Sequence, residues 1–403
     1  MKLKKSLTTA AVLAAALAVP ATAGADTIKV GVILPYSGAA AQEAKLIDQG
    51  MELYIKLHAK DIAPHKVELI KRDSKHPGGE VAKVLTRELV TRDRVKILTG
   101  YTYSPNAIAS ASIATQAKVP MILVNAATAW IPSLSPYIVR ISWTMWQSAY
   151  PMGTYAYTKL GCKTAAIGYT DFPPGKDANN AFKMAFEKAG GKVVESIPMG
   201  GAREVPDYTP FYQRVRNAKP GCFFVFVPGG AHSTAAAKTF KRLGMDKAGI
   251  KLLSTGDLSQ DTRLADMGDA AIGMYTLHHY SSYYDTPANK AYVAAWKKEY
   301  GADTVPDYFA TQGYDAMAAV FQVIKKLGSD ITAEKAVAAL KGWKWQSPRG
   351  MVMIDPETRD VIQDMNVHQV VMENGKIVVK TIHTYPQMKD PCKELKVGRC
   401  AKK

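Results

Sequence analysis

Short apolar runs alternate with amphipathic stretches along most of the chain. IKVGVIL (28–34) is rich in β-branched residues and predicts a buried parallel strand. Ile47, Met51, Tyr54, Ile55 and His58 then recur at helical spacing, which predicts a helix over 42–59. KVELIKR (66–72) predicts the next strand, and Val81, Val84, Leu85 and Leu89 mark the next helix. VKILTG (95–100), a helix through about 106–117 and VPMILVN (119–125) continue the alternation. This order means right-handed βαβ units and a parallel sheet covered on both faces.

The pattern then restarts. KTAAIGY (163–169) predicts a strand, 175–190 a helix and KVVESIP (192–198) another strand. CFFVFVPGG (222–230) is a strand running into a Gly-rich turn, followed by a helix over 231–243 and the strand IKLLSTG (250–256). Between the halves, SWTMWQSAYP (142–151) lacks periodicity and reads as a crossing segment. Helices are predicted over 287–300, 307–327 and 332–341. VHQVVMENGKIVVKTIH (367–383) is a hairpin around Asn374-Gly375. The expected fold class is α/β, with two doubly wound parallel-sheet lobes.

The N-terminus changes the picture of where the protein works. Residues 1–25 carry Lys2, Lys4 and Lys5, an apolar Ala-rich stretch over 10–19, and Ala23-Gly24-Ala25 as a cleavage site. That stretch is too short for a bilayer, which takes about 20 apolar residues. A cleaved secretory signal ending near Ala25 is expected, and with it a periplasmic protein. The 403-residue chain has a formal charge of +17; the signal's three lysines leave +14. Export argues against nucleic acid as a partner, and the basic residues are scattered apart from the tail 391–403. Of the four cysteines, Cys392 and Cys400 are expected to bridge and tie down that tail. Cys162 and Cys222 each precede an apolar strand; they read as buried thiols, with a bridge as the alternative.

Ligands of doubly wound sheets bind outside the carboxyl ends of the strands. The loops to consider are 35–41, 101–105, 125–130, 170–175, 228–233 and 256–260. Ser104 stands at a helix N-cap position, where its hydroxyl and the first backbone N–H groups would take a carboxylate; a plain cap is the alternative. Ala126 and Thr128 sit in a small-residue loop that lets the backbone approach a ligand. Gly229 lies in the Gly-rich turn, and Asp257 at a strand end is placed to accept from an ammonium or to cap a helix. Tyr36, Tyr101, Tyr103, Trp130 and Phe172 suggest an apolar or aromatic ligand body. No zinc-protease, P-loop, dinucleotide, nucleophile-elbow or C-x-x-C motif occurs. No metal, cofactor or enzymatic activity is expected.

Several motifs carry a resemblance: VGVILPYSGAAA (30–41), GYTYS (100–104), VPMILVNAATA (119–129), DFPPGKDA (171–178), STGDL (254–258) and GMVMIDPETRD (350–360). In this order, behind a secretory signal, the chain resembles periplasmic solute-binding proteins of ABC importers, in the branched-chain amino-acid (leucine/isoleucine/valine) class. The resemblance implies a type I fold with three hinge crossings near 142–147, 276–283 and 355–366. Lobe 1 would be 26–144 plus 281–358, and lobe 2 would be 145–278 plus 366–390. It implies a monomer that delivers a small carboxylate ligand to a membrane permease. Ser104 and Thr128 would hold the carboxylate, the Ala126 carbonyl and Thr128 hydroxyl would lie near an α-amino group, and Asp257 would pair with it. A hydrophobic amino acid is the expected ligand. One departure points elsewhere: Pro174 precedes Gly175, with Phe172 nearby, where amino-acid binders carry a Tyr. That pattern resembles relatives that bind aromatic acids or amides. A periplasmic enzyme or a sensory domain is the remaining alternative.

Overall fold

A computed structural model describes residues 25–401. The signal segment therefore lies outside the described residues except for Ala25. The first half runs β1 (Thr27–Leu34), α1 (Ala41–His58), β2 (Lys66–Asp73), α2 (Gly79–Thr91), β3 (Ile97–Gly100), α3 (Ser104–Ala117), β4 (Met121–Leu123) and β5 (Ile138–Arg140). The second runs α4 (Met145–Thr158), β6 (Thr164–Tyr169), α5 (Pro173–Lys188), β7 (Lys192–Pro198), α6 (Thr209–Ala218), β8 (Cys222–Phe226), α7 (Ala231–Arg242), β9 (Lys251–Thr255), α8 (Leu264–Met267) and β10 (Tyr275–His278). Then come α9 (Pro287–Tyr300), α10 (Tyr308–Leu327), α11 (Ala333–Leu340), β11 (Lys344–Ser347), β12 (Gly350–Ile354), β13 (Val361–Glu373), β14 (Lys376–Met388) and α12 (Pro391–Glu394).

The two halves share one topology. The first sheet has the order β2-β1-β3-β4-β5, all parallel. The second repeats it as β7-β6-β8-β9-β10 and adds β13 antiparallel to β10. Strand periodicity divides each core into two faces. On β8, Cys222, Phe224 and Phe226 pack to one side, while Phe223 and Val225 pack to the other. The predicted hairpin forms β13 and β14, with Asn374 and Gly375 both at positive φ.

Core membership changes hands at each of three crossings. Ile141 belongs to the core of the first sheet and Met145 to that of the second. The same switch separates Leu277 from Tyr280, and Val361 from Met365. Residues of α9, α10, α11, β11 and β12 pack on the first sheet's core. We call each sheet with its covering elements a lobe.

The structure departs from the sequence reading in several places. Residues 145–151, read as irregular, open helix α4, with Pro151 inside it. Thr144 and Gln147 form a capping box at its start. Nearly every side chain of its first turns is buried, so no polar face marks the helix. Cys162 and Cys222 form a disulfide rather than standing as thiols, with Cα atoms 5.9 Å apart. Cys392 and Cys400 are bridged, as expected. Among the described residues no helix is long and apolar enough to cross a membrane.

Helices α1 and α10 approach closely because two glycines face each other's backbone. A Cβ on Gly50 would overlap the Ala310 carbonyl, and one on Gly313 would overlap that of Ile47. We expect Gly50→Ala and Gly313→Ala each to destabilise the protein by roughly 1–3 kcal/mol or more, read from urea unfolding midpoints. Unchanged midpoints would mean that these helices do not touch.

Candidate functional site

The C-terminal ends of the strands in both sheets converge on one cavity. From the first lobe come Ala40 and Glu43 after β1, Thr102, Tyr103 and Ser104 after β3, and Asn125 and Ala127 after β4. The second lobe supplies Phe172 and Pro174 after β6, Phe226, Pro228 and Gly229 at β8, and Asp257 after β9. Trp143 and Met145 of the first crossing and Phe309 of α10 complete the wall. The topological switch points of both sheets thus face each other. The cavity measures about 30 Å³, room for a water or two. A ring-sized ligand enters only if the lobes part.

Ser104 is the first residue of α3, and Tyr103 rather than Ser104 holds the N-cap position. The Ser104 Oγ accepts a hydrogen bond from the Thr128 N–H at 3.1 Å, which binds the two predicted carboxylate loops together. The helix end is a poorer anion site than expected. Pro105 has no N–H, and the Asn106 and Ala107 N–H groups turn back to the Tyr103 carbonyl. Hydroxyls must carry more of that role. The Oγ1 atoms of Thr102 and Thr128 are buried without a partner. Ala126 is buried just behind the wall, its N–H bonded to the Tyr101 carbonyl.

Asp257 is 4% exposed and accepts from the Thr255 hydroxyl at 2.7 Å and from the Tyr308 hydroxyl at 3.1 Å. Burial pushes its carboxyl up to about 6. Gly229 is required beside it: a Cβ there would lie 2.5 Å from the Tyr308 hydroxyl. Phe172 lines the cavity and stacks on Phe226, with centroids 6.0 Å apart at 18°.

Three predicted aromatics lie elsewhere. Tyr101, at positive φ, turns into the first lobe's core, where its hydroxyl meets Thr86 at 3.0 Å. Tyr36 donates to Asp48 at 3.0 Å, away from the cavity wall. Trp130 faces outward under the Arg399 guanidinium, 4.4 Å from its ring centroid. A loop position alone did not distinguish inward from outward side chains.

The sequence reading missed Glu43, Trp143, Phe226, Tyr308 and Phe309. Glu43 is 1% exposed. Its Oε1 accepts from Arg263 at 2.7 Å, and its Oε2 has no partner. Arg263 belongs to the other lobe, so this ion pair spans the cleft. Gln260 adds to the bridge, donating to Asp307 at 2.7 Å. Behind the cavity, Arg140 is fully buried and donates to the Thr128 carbonyl at 2.8 Å while pairing with Asp360 at 3.2 Å.

A closed cleft between two like-wound lobes, with polar donors and acceptors from both, defines a ligand-binding protein of the two-lobed, hinge-closing type. The chain belongs to the periplasmic binding protein family, whose model matches residues 27–376. It is the type of protein that serves ABC transporters as the substrate-binding component. The chain is 37% identical over 368 residues to Leu/Ile/Val-binding protein homolog 6 of Brucella melitensis, covering 91% of this chain and 94% of that relative. A solute-binding protein of an ABC transporter from Rhodopseudomonas palustris BisB5, solved with 3,4-dihydroxy benzoic acid, is 41% identical with a TM-score of 0.86. The match covers 91% of this chain and 99% of that one. One from Rhodopseudomonas palustris HaA2, solved with p-hydroxybenzoic acid, has a TM-score of 0.86 at 36% identity and the same coverage.

The buried Asp257 gives the site a measurable pH signature. An unfolded Asp titrates near about 3.9, whereas Asp257 in the fold titrates at about 6. Between these values the folded protein keeps a proton that the unfolded chain has released. Asp257 therefore costs nothing below about pH 4 and destabilises increasingly as pH rises through about 6. Relative to Asp257→Asn, the wild type should lose on the order of 2–3 kcal/mol between about pH 4 and pH 8 in urea unfolding. Parallel pH profiles would show Asp257 to be solvated.

Proposed function

We propose that this protein binds aromatic carboxylic acids, hydroxybenzoates above all, in the periplasm and delivers them to the membrane permease of an ABC importer. The observation that carries this reading is the cavity wall. Tyr103, Trp143, Phe172, Phe226 and Phe309 are flat side chains around one slot that also holds hydroxyls and two carboxylates. An aromatic ring gains from stacked and edge contacts in such a slot. The ligand carboxylate goes to Ser104, with the Thr102 and Thr128 hydroxyls in support. A ring hydroxyl donates to the free Oε2 of Glu43 or to Asp257. The bound benzoates of the two Rhodopseudomonas proteins support the same reading.

The three crossings act as hinges, with lobe 1 as 26–144 plus 281–358 and lobe 2 as 145–278 plus 366–390. The signal is removed near Ala25, and the mature chain works as a monomeric carrier, not an enzyme. A second reading, a hydrophobic amino acid, is favoured by the name of the Brucella relative and by the two buried carboxylates, which suit an ammonium group.

Calorimetric titration of the mature protein with p-hydroxybenzoate, benzoate and leucine separates the two. Tight binding of p-hydroxybenzoate, roughly tenfold weaker binding of benzoate and none of leucine is the expected pattern, one lost hydrogen bond to a charged group being about 1.5–3 kcal/mol. Ser104→Ala should weaken p-hydroxybenzoate binding roughly tenfold or more on the same grounds. Leucine binding without any benzoate binding would move the protein to the second reading.

A further inference from the structure

None of the C-terminal loop's residues lines the cavity, yet the loop is built into both lobes. Its root is fixed at the crossings. Asp390 accepts from the Thr144 hydroxyl at 3.1 Å, and Lys393 is ion-paired with Asp360. Asp360 is also the partner of the buried Arg140. The Cys392 side chain is buried in the second lobe's core, among residues of α4 and α5. The disulfide to Cys400 then closes the loop and leaves Arg399 beside the bridge.

Arg399 reaches across to the first lobe. Its guanidinium lies over the ring of Trp130, which stands in the loop between β4 and β5, two residues after Thr128. Beside it the Ala129 N–H of the same loop donates to Asp177 of α5 at 2.8 Å, a second tie between the lobes. A space of about 400 Å³ opens beside these contacts, lined by Trp130, Trp146, Lys176, Asp177 and Arg399. The arginine is exposed. The contact is therefore a weak clip rather than a lock, worth the two- to fivefold that about 0.5–1 kcal/mol of exposed cation–π attraction gives.

We propose that the disulfide-closed C-terminal loop is a strap across the cleft, whose Arg399 clips onto Trp130 and biases the lobes toward the closed state. The disulfide holds the arginine over the indole, and Trp130 leaves it when the lobes part. The strap slows ligand escape without touching the ligand, because the clip has to break before the loaded lobes part.

The test compares mature wild type with Arg399→Ala, with Cys392→Ser/Cys400→Ser, and with Lys396→Ala as a charge control in the same loop. Small-angle scattering without ligand reads lobe opening whatever the ligand proves to be. The first two variants should show a larger radius of gyration than wild type, and Lys396→Ala an unchanged one. Circular dichroism checks that each variant is folded; if the double Ser variant is not, Arg399→Ala decides alone. Stopped-flow release of p-hydroxybenzoate should be about two- to fivefold faster in Arg399→Ala, with association no slower, because the ligand enters the open form. An unchanged radius of gyration in Arg399→Ala, or an equal increase in Lys396→Ala, overturns the strap.

Discussion

The buried guanidinium of Arg140 is the interaction on which the site depends. It sits at the end of β5 with no exposed surface, pairs with Asp360 at 3.2 Å, and donates to the carbonyls of Thr128 and Trp143. One side chain thus fixes the ligand loop, the first crossing and the third crossing. Through Asp360 it also reaches Lys393 and the C-terminal loop. A buried pair of this kind contributes little net stability against an apolar replacement, but loss of one partner costs about 3–5 kcal/mol. Its value here is positional. Arg349 does the same beside it, pairing with Asp315 at 3.0 Å and donating to the Ser142 carbonyl at 2.8 Å.

The cleft has a second layer of charge that spans the lobes. Arg263 and Gln260 of one lobe meet Glu43 and Asp307 of the other, and Tyr308 meets Asp257. Each of these contacts exists only while the lobes are together. Glu43 and Asp257 also line the cavity. A ligand that satisfies them therefore acts on the same groups that hold the cleft shut, which couples occupancy to closure by differential contact with the closed state. The family supplies the hinge; this chain's wall of aromatic side chains and prolines gives the cleft its own chemistry.

Most of the architecture was legible because it is written in local periods. β-branched runs and 3.6-residue spacing located most strands and helices of both sheets but passed over the short edge strand β5, helix α6 and strand β10, and Asn374-Gly375 located the hairpin. Helix α4 was not legible, since a helix buried on all sides carries no amphipathic stripe. The candidate loops were read from strand ends, and all six contribute to or flank the cavity. The direction of single side chains was not. Tyr101 turns inward because its backbone takes positive φ, and Trp130 turns outward onto the C-terminal loop. Glu43 was overlooked because a Glu near the start of a helix looks like an ordinary solvated residue. Only the fold reveals that Gly230 and Arg263 bury it: a Cβ on Gly230 would lie 2.7 Å from its carboxylate.

The central claim is that a flat carboxylic acid lies in this slot with its carboxylate on the first lobe. A crystal structure of the mature protein with p-hydroxybenzoate tests it most directly. The carboxylate should lie at the Ser104 hydroxyl, the ring between Phe172 and Trp143, and the ring hydroxyl on Glu43 or Asp257. A ligand lying with its carboxylate toward the second lobe, or outside this cavity altogether, would contradict it.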